Sequence, residues 1–232
     1  MLKRVSIHQP EHLPWLGFFH KVMSVDEFVI LDNVQFEKNY FQNRTKIRTK
    51  EGWQYITVPL KKFHSTQKIS EIEISHNHTW EWHNLNKIQN SYRRANYFPS
   101  YFTDFQKIYS EKVAMLCDFN ITLIDFLLKM FEIPTKIILA SDLTSHPEAT
   151  GTARLIDICK TLNADVYLSG QFGKEYLDLS EFEKEKIQVE FQEFGYPEYK
   201  QQYQPFIPVS AIDLLFNCGE QSKKIIQDCV KK

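Results

Sequence analysis

Hydrophobic positions at the start of the chain alternate over residues 4–8 and take helical spacing over residues 13–24. A nearly continuous apolar run then follows at 27–32 and ends in a carboxylate. Such a run is typical of a buried parallel strand. Residues 4–32 therefore predict a strand–helix–strand unit, with Pro14 in the first helical turn, where a missing N–H is harmless.

Basic residues interleaved with aromatic ones characterise the next segment, residues 33–62. Two alternating runs, at 43–49 and 53–59, flank a Lys-Glu-Gly sequence, and this arrangement is typical of a β-hairpin. Residues 69–75 alternate in the same way.

The rest of the chain shows helical and strand patterns in turn. Helices are predicted over 80–95, 101–131 with a break near 118–120, 150–162, 210–217 and 220–230, and strands over 136–140, 164–170 and 186–194. Helices that alternate with buried strands are typical of an α/β fold. We therefore expect a single α/β domain over 1–232, with a mainly parallel Rossmann-like sheet, a β-hairpin at about 38–60 and a helical insertion at about 80–131.

The composition limits the classes of partner. Lys plus Arg number 28 and Asp plus Glu number 29, so the net charge of −1 gives no general attraction for nucleic acid, which is not expected as a partner. An anion-binding site must therefore be local. Aromatic residues make up 14% of the chain, which favours stacking surfaces in addition to a core.

Cysteine usage and hydropathy bear on location. The four cysteines have no CxxC spacing, which favours reduced thiols in a cytoplasmic protein over a disulfide framework or a zinc ribbon. No apolar run approaches the roughly 18 residues of a membrane span, and the start lacks the features of a signal peptide. We therefore expect a soluble, cytoplasmic protein without membrane insertion.

Polar residues stand where four of the predicted strands end. They are His8-Gln9-Pro10, Asp32-Asn33, Ser141-Asp142 and Ser169-Gly170-Gln171. In an open parallel α/β sheet, ligands bind outside the carboxyl ends of the strands. These junctions are therefore the expected place for a site.

The first junction precedes the helix predicted over 13–24, whose N-terminus carries roughly half a positive charge and favours an anion. His8 and His12 are candidates to donate to a phosphate or to act as a base. The alternative is an ordinary strand-to-helix turn, in which His8 caps backbone groups and Pro10 sets the direction of the chain.

One face of the predicted hairpin is basic, because alternation places on it Arg44, Lys46, Arg48 and Lys50. This face could hold a diphosphate or a nucleic-acid backbone. The alternative is a solvated strand face. Asn43 and Arg44 are the strongest candidates, since they lie nearest to Asp32 in sequence.

Two kinds of chemistry are not favoured. His76, His78 and His83 lack fixed ligand spacing and a carboxylate partner, so a structural role is preferred and no metal site is predicted. No GxSxG motif occurs, so covalent catalysis is not the first expectation. A local anion site with one or two acid–base residues instead suits transfer chemistry on an activated, phosphate-bearing substrate.

Three stretches carry a resemblance over nearly the whole chain. They read IHQPEHLPWLGFFHKV…DEFVILDNVQFEKNYFQNRTKIRTKEGWQYITVPL, RLIDICKTLNADVYLSGQFGKEYL and AIDLLFNCG. They resemble the WbqC-like protein family, whose pattern marks His8, Gln9, Pro10, Leu13, Pro14, Trp15, Gly17, Asp32, Gln35, Phe36, Asn43, Arg44, Trp53, Ser169, Gly170, Asp213 and Asn217. The chain has Glu11-His12 where many members have Asn-Tyr, and His20 where many have Asp, so no family role carries over to His12 or His20.

The resemblance implies a role in bacterial O-antigen or related surface-polysaccharide (lipopolysaccharide) biosynthesis, because the family occurs in those gene clusters. A weaker resemblance is to nucleotidyltransferase-like α/β enzymes such as pantothenate synthetase, which adenylates a carboxylate and joins it to an amine. The HxGH motif of those enzymes is absent here, and LPWLG stands in its place. ATP binding is therefore an analogy.

The leading hypothesis is an enzyme that transfers an acyl or aminoacyl group to the amine of a nucleotide-linked amino sugar. Its predicted catalytic residues are His8, as base or phosphate donor, and Asp32, which orients His8 or binds a sugar hydroxyl. Arg44, Lys46 and Lys38 are expected to hold the diphosphate, and Trp15 or Phe36 to stack on the base. The full predicted substrate-binding set is Gln9, Pro10, Trp15, Gln35, Phe36, Lys38, Asn43, Arg44, Lys46, Ser169 and Gly170.

The cofactor stays open between ATP and an acyl-carrier thioester, so the expected partners are a nucleotide sugar and an acyl or aminoacyl donor protein. An alternative from another class is a non-catalytic accessory protein that binds a nucleotide sugar or carbohydrate through its aromatic residues. RNA binding through residues 38–53 is a third reading, which the charge balance disfavours.

Overall fold

Five parallel strands form the central sheet of the computed structural model, which describes residues 2–143 and 148–229. The strands of the chain are β1 Arg4–His8, β2 Glu27–Ile30, β3 Arg44–Thr49, β4 Gly52–Thr57, β5 Lys136–Leu139, β6 Val166–Ser169 and β7 Gln188–Phe191. The sheet order is β5-β2-β1-β6-β7, and β3 pairs with β4 in a separate antiparallel hairpin. The α/β class, the parallel sheet and the hairpin are thus confirmed.

The helices lie on both faces of this sheet. They are α1 Leu16–Met23, α2 Trp80–Tyr92, α3 Phe98–Ser110, α4 Leu116–Met130, α5 Gly151–Thr161, α6 Leu179–Lys184, α7 Ile212–Cys218 and α8 Ser222–Gln227. Short 3₁₀ turns occur at Ile69–Glu71, Ala140–Asp142, Gln171–Glu175 and Gly219–Gln221. No helix in the described ranges has the length and apolar character needed to cross a bilayer.

Alternate residues of β2 show how the two faces are filled. Phe28 and Ile30 belong to a core that includes residues of α1, α4 and α7, whereas Val29 belongs to a second core with residues of α5 and α6. A strand with apolar residues on both sides is covered on both faces. This explains why 27–32 reads as an almost continuous apolar run.

Helix α1 begins at Leu16, three residues later than predicted, and Pro14 lies before it. The backbone of Leu13 is left-handed, with φ of 47°. The residue before a proline is kept out of the right-handed helical region, so the helix starts only after Trp15, which has an extended conformation.

The C-terminal segment closes over this bend. The Leu13 carbonyl accepts hydrogen bonds from the hydroxyls of Thr45 (3.1 Å) and Ser210 (2.8 Å). The Ala211 backbone N–H donates to the Pro14 carbonyl at 2.8 Å. Three distant parts of the chain, near residues 13, 45 and 210, therefore meet at one point beside β1.

Three local expectations differ from the structure. Residues 69–75, which alternate like a strand in sequence, form a 3₁₀ turn followed by isolated bridges, Leu60 with Ile74 and Glu73 with Met115. The break in the helical stretch falls between α3 and α4, at 111–115 and not at 118–120. Helix α6 was not predicted; its N-cap residue, Asp178, accepts from the Ser180 N–H. The last residue of the predicted helix 220–230 lies outside the described residues.

Arg48 does not share the solvated face expected for it. Its side chain is only 1% exposed, although Arg44 and Lys46, at alternate positions of β3, are half-buried. The Arg48 guanidinium donates to the carbonyls of Gly52 (2.6 Å) and Pro205 (2.9 Å). The C-terminal segment covers this end of the face, so Arg48 anchors that segment and is not part of an open anion site.

Candidate active site

A cleft runs over the carboxyl ends of β1 and β6. From β1 the chain adds β2 and then β5 toward one edge of the sheet, and then adds β6 and β7 toward the opposite edge. The strand order therefore reverses between β1 and β6, and such switch points are where open α/β sheets bind ligands. Ile7 and His8 from the end of β1 and Tyr167 from β6 line the cleft.

The cleft has two lobes. The apolar lobe, of about 520 Å³, is lined by residues that include Trp15, Phe18, Lys21, Lys46, Gly170, Phe172, Gln192, Tyr196 and Ser210. The polar lobe, of about 620 Å³, is lined by residues that include Gln9, Asn33, Gln35, Gln42, Lys68, Thr150, Gly151 and Arg154. Both volumes suit small-molecule ligands. His8, Glu11 and Tyr40 line both lobes and so stand at their boundary.

The described lining of the cleft is cationic. Its basic side chains are Lys21, Lys46, Lys68 and Arg154, and Glu11 is the acidic residue among the described lining residues. A site of this charge attracts anions even though the whole chain has a net charge of −1. In the polar lobe, Thr150 and Gly151 also bring the first turn of α5, whose backbone N–H groups favour phosphate.

The geometry of His8 settles which ring nitrogen faces the cleft. Its Nδ1 lies 2.9 Å from the Gln9 carbonyl oxygen, which can only accept, so Nδ1 carries the proton. Nε2 is left with its lone pair, 3.9 Å from Glu11 Oε1. Burial lowers the pKa of His8 to about 3, and the charge of Lys21 contributes. His8 is therefore neutral near pH 7, and its Nε2 lone pair is able to accept a hydrogen bond.

Glu11 and Lys21 are a second pair of perturbed groups at the boundary. Both side chains are buried, with exposures of 6% and 3%. Burial raises the pKa of Glu11 to about 7 and lowers that of Lys21 to about 7, while the attraction between the two charges opposes each shift. Groups with pKa values near the working pH are suited to acid–base chemistry.

Aromatic rings form the wall of the apolar lobe beside α1. The indole of Trp15 packs against Phe194 at 5.1 Å and Tyr196 at 5.7 Å between centroids. It also lies directly over Gly17, where a Cβ would stand 2.1 Å from the nearest indole carbon. The ring therefore covers the first turn of α1, where an anion was expected, and Gly17 is required for this placement.

Exposed aromatic residues stand at the mouth of the cleft. Tyr40 is 46% exposed, and Phe172 and Tyr176, on and just after the 3₁₀ turn that follows β6, are 72% and 66% exposed. Large apolar side chains grouped around a concave site commonly contact a ligand. They offer surfaces for stacking on a base or a sugar ring.

The structure brings several of the predicted substrate-binding residues to the cleft. Gln9 and Gln35 line the polar lobe, and Trp15, Lys46 and Gly170 line the apolar lobe. The Gln9 side-chain oxygen accepts from Gln42 Nε2 at 2.7 Å, which orients the amide. Together with His8, these residues form a contiguous surface around the end of β1.

Other predicted residues lie away from the described cleft lining. Asp32 is buried, does not contact His8, and accepts from the Ser141 N–H at 2.9 Å. Phe36 is buried against Phe63, with 5.1 Å between ring centroids, so its face is not open to a base. Pro10 is buried at the bend after β1.

The basic hairpin residues are also largely engaged elsewhere. Arg44 stacks on Tyr55 at 4.5 Å and donates to the Asn39 carbonyl, and Asn43 donates to the Val58 carbonyl at 3.1 Å. Lys38 is exposed at a separate shallow groove. The Lys46 ammonium lies 4.2 Å from the Trp53 ring centroid.

Two further predicted positions have structural surroundings. Ser169 is buried beneath Gly173, where a Cβ would stand 2.0 Å from the serine hydroxyl oxygen. His12 is buried, stacked on Phe119 and within hydrogen-bond distance of Asn120 (3.2 Å) and Tyr109 (3.3 Å). Burial lowers the pKa of His12 to about 4, so it is a neutral core residue.

The histidines and cysteines do not form a metal-binding group among the described residues. Contrary to the expectation that these histidines lack a carboxylate partner, His76 Nδ1 lies 2.9 Å from Glu81 Oε1. Its Nε2 lies 3.0 Å from the Val113 carbonyl oxygen, and His78 and His83 are exposed. The four cysteines are free and buried.

Glu11, Lys21, Tyr40 and Arg154 were not among the predicted site residues. For Lys21 a signal existed, because it stands four residues after Gly17 and so shares its helix face within an otherwise largely apolar stretch, LGFFHKVM. A lysine in the apolar stripe of a helix is a candidate for a buried functional group. Arg154 reaches the cleft only through the tertiary fold.

Comparisons with known proteins confirm the family resemblance of the sequence. The model of the WbqC-like protein family matches residues 9–225. The chain is 33% identical to Uncharacterized protein Rv1507c of Mycobacterium tuberculosis over 235 residues, which cover 98% of this chain and 99% of that protein. No solved structure gave a significant match.

Proposed function

This chain belongs to the WbqC-like protein family, and from that premise we propose that it is an enzyme of surface-polysaccharide biosynthesis. In this proposal it forms an amide by transferring an acyl or aminoacyl group to the amine of a nucleotide-linked amino sugar in the cytoplasm. The observation that carries the proposal is the two-lobed cationic cleft whose lobes meet at His8 and Glu11. A group transfer needs two substrates held with their reacting atoms in contact, and the two lobes provide adjoining sites.

The charges of the lobes suggest which substrate enters each. The polar lobe has Lys68, Arg154 and the first turn of α5, which favour the diphosphate of a nucleotide sugar. This assignment replaces the hairpin cations of the sequence prediction, of which Arg44 and Lys38 do not line the cleft. The apolar lobe, with Trp15 and Phe172 in its lining, suits the acyl group of an activated donor such as a thioester.

In the proposed reaction His8 is the base, because its Nε2 carries the free lone pair. The sugar amine attacks the thioester carbonyl carbon, and His8 Nε2 takes the proton that the amine nitrogen must lose. Glu11, 3.9 Å away, stabilises the imidazolium when it is ionised. Collapse of the tetrahedral intermediate forms the amide and releases the thiolate, which takes the proton from His8.

Two measurements test the proposal. Thermal unfolding is followed with nucleotide-linked amino sugars, ATP and acyl thioesters, because a ligand at 100 times its Kd stabilises by about 2.7 kcal/mol. Mixtures that shift the melting temperature are then examined by mass spectrometry for the amide product. The His8→Ala variant should bind the nucleotide sugar but lose at least about 100-fold in rate.

The matched control is His83→Ala, which changes an exposed histidine remote from the cleft and should leave the rate unchanged. If no nucleotide sugar or thioester shifts the melting temperature, the proposal is wrong. Binding without turnover would instead support the non-catalytic accessory protein, in which the aromatic residues at the mouth hold the sugar.

A further inference from the structure

Lys21 occupies an unusual position for a lysine. It lies on α1, which is otherwise largely apolar, and its side chain lines the apolar lobe. Its ammonium donates to the Ile7 carbonyl at 3.4 Å and lies 5.7 Å from the Phe28 ring centroid. Burying a charge is costly unless it is paired, so a lysine in such a place calls for a function or a ligand.

The Lys21 ammonium has more N–H donors than acceptors around it among the described residues. Within the described ranges, no carboxylate approaches Lys21 closely enough for a direct ion pair, and the Ile7 carbonyl accepts one of its three N–H bonds. Glu11 and His8 are the charged or titratable neighbours that act on it electrostatically. The ammonium therefore has donor capacity that the Ile7 carbonyl does not take up, and its side chain lines the lobe together with His8.

The other cations of the described cleft lining are placed differently. Lys46 lies against the Trp53 ring, and Lys68 and Arg154 belong to the polar lobe. Lys21 is thus the buried cation of the apolar lobe, next to the boundary where the substrates meet. This is where negative charge would develop on the carbonyl oxygen of the donor.

We propose that Lys21 is a further catalytic residue, whose ammonium donates to the acyl carbonyl oxygen and stabilises the oxyanion formed when the sugar amine attacks. The inference rests on the proposed function and adds a role to the same site. The C–N bond forms while the carbonyl π pair moves to oxygen, and the amine proton goes to His8. When the thiolate leaves, the pair returns to the carbonyl; Lys21 keeps its proton throughout.

The first experiment needs no substrate. Wild-type protein is treated at pH 7 with a limiting amount of acetic anhydride, and modified lysines are mapped by mass spectrometry. An amine open to the lobe, with a pKa lowered to about 7, should react at least about tenfold faster than Lys129, an exposed lysine on α4. If Lys21 is not modified in preference to Lys129, it does not face the lobe in the way the inference needs, and the inference is overturned.

The second experiment uses the transfer reaction. Lys21→Met should lower kcat by about 100-fold while KM for the nucleotide sugar changes little, and Lys21→Arg should restore part of the rate. The wild-type rate should fall as pH rises through the pKa of Lys21, and the Met variant should lose this limb. The profile is read together with the other titratable side chains that line the lobe, which are His8, Glu11, Tyr40, Lys46, Tyr167, Tyr176 and Tyr196. Lys129→Met is the control.

The outcomes separate the two proposals. Normal turnover by Lys21→Met refutes the role of Lys21 and leaves the proposed function intact. Absence of any amide product from wild-type protein refutes the proposed function, and the role of Lys21 in it falls as well, even if acetylation shows a reactive amine.

Discussion

Replacing Lys21 by methionine removes a charge that the fold buries at a cost, and the cost is measurable without knowing the substrate. Burial lowers the pKa of Lys21 from its ordinary 10.5 to about 7. Between these values the unfolded chain binds a proton that the folded chain has released. Wild-type stability should therefore rise with pH over this range, and the Met variant should lack that contribution.

The magnitude follows from the two pKa values. Between pH 7 and pH 9 the difference in bound protons integrates to a gain of about 2 kcal/mol for wild-type protein relative to Lys21→Met. Loss of the lysine also raises the pKa of Glu11 further, because the Lys21 charge lowers it at present. A carboxyl with a raised pKa loses stability as pH rises, so this change acts in the same direction.

Urea unfolding at pH 7 and pH 9, followed by circular dichroism, measures this difference for both proteins. At pH 7 the Met variant should be the more stable, since methionine fills a similar volume without a charge. Lys129→Met should show the same difference from wild type at both pH values. A difference for Lys21→Met that stays constant within about 0.5 kcal/mol between pH 7 and pH 9 would refute the reasoning, because a shift of one pKa unit corresponds to about 1.4 kcal/mol.

Two further predictions concern packing. Gly17→Ala should displace the Trp15 indole, because the new Cβ would overlap the ring. Tryptophan fluorescence should change, and the free energy of unfolding should fall by about 1–3 kcal/mol. An unchanged fluorescence spectrum would contradict the contact between Trp15 and Gly17. Arg48→Met should destabilise the protein by about 3 kcal/mol in urea unfolding, because buried carbonyls and the nearby Asp213 lose their cation. Arg44→Met is the control: Arg44 lies at the half-buried end of the same strand face, and its replacement should cost less than about 1 kcal/mol.

The strands could be predicted because their signal is local. The apolar run of β2 and the short apolar segment of β1 indicate buried strands, so the parallel sheet follows from short segments. The switch point beside His8 was not predicted, because it depends on the pairing of β1 with β6, far along the chain. The start of α1 was misplaced because the helical spacing of apolar residues outweighed the restriction that Pro14 imposes on Leu13.

The cleft itself was only partly predictable. His8 and Gln9 follow from the rule for strand ends, but the surroundings of Arg48 depend on residues about 150 positions later in the chain. Asp32 has the right position in sequence for a site residue, yet its carboxylate is taken up by the backbone of the segment after β5. Such pairings arise from tertiary contacts, which a pattern of residue types does not encode.

The meeting of residues 13, 45 and 210 has a consequence for the order of events in the cell. Synthesis proceeds from the N-terminus, so Ser210, which lines the apolar lobe and bonds to Leu13, emerges 197 residues after Leu13. A nascent chain still lacking this segment has His8 and Lys21 but an open lobe. We therefore expect the apolar lobe to bind a ligand only after the segment around Ser210 has been made, and a chain truncated before Ser210 to have its sheet residues without a closed lobe.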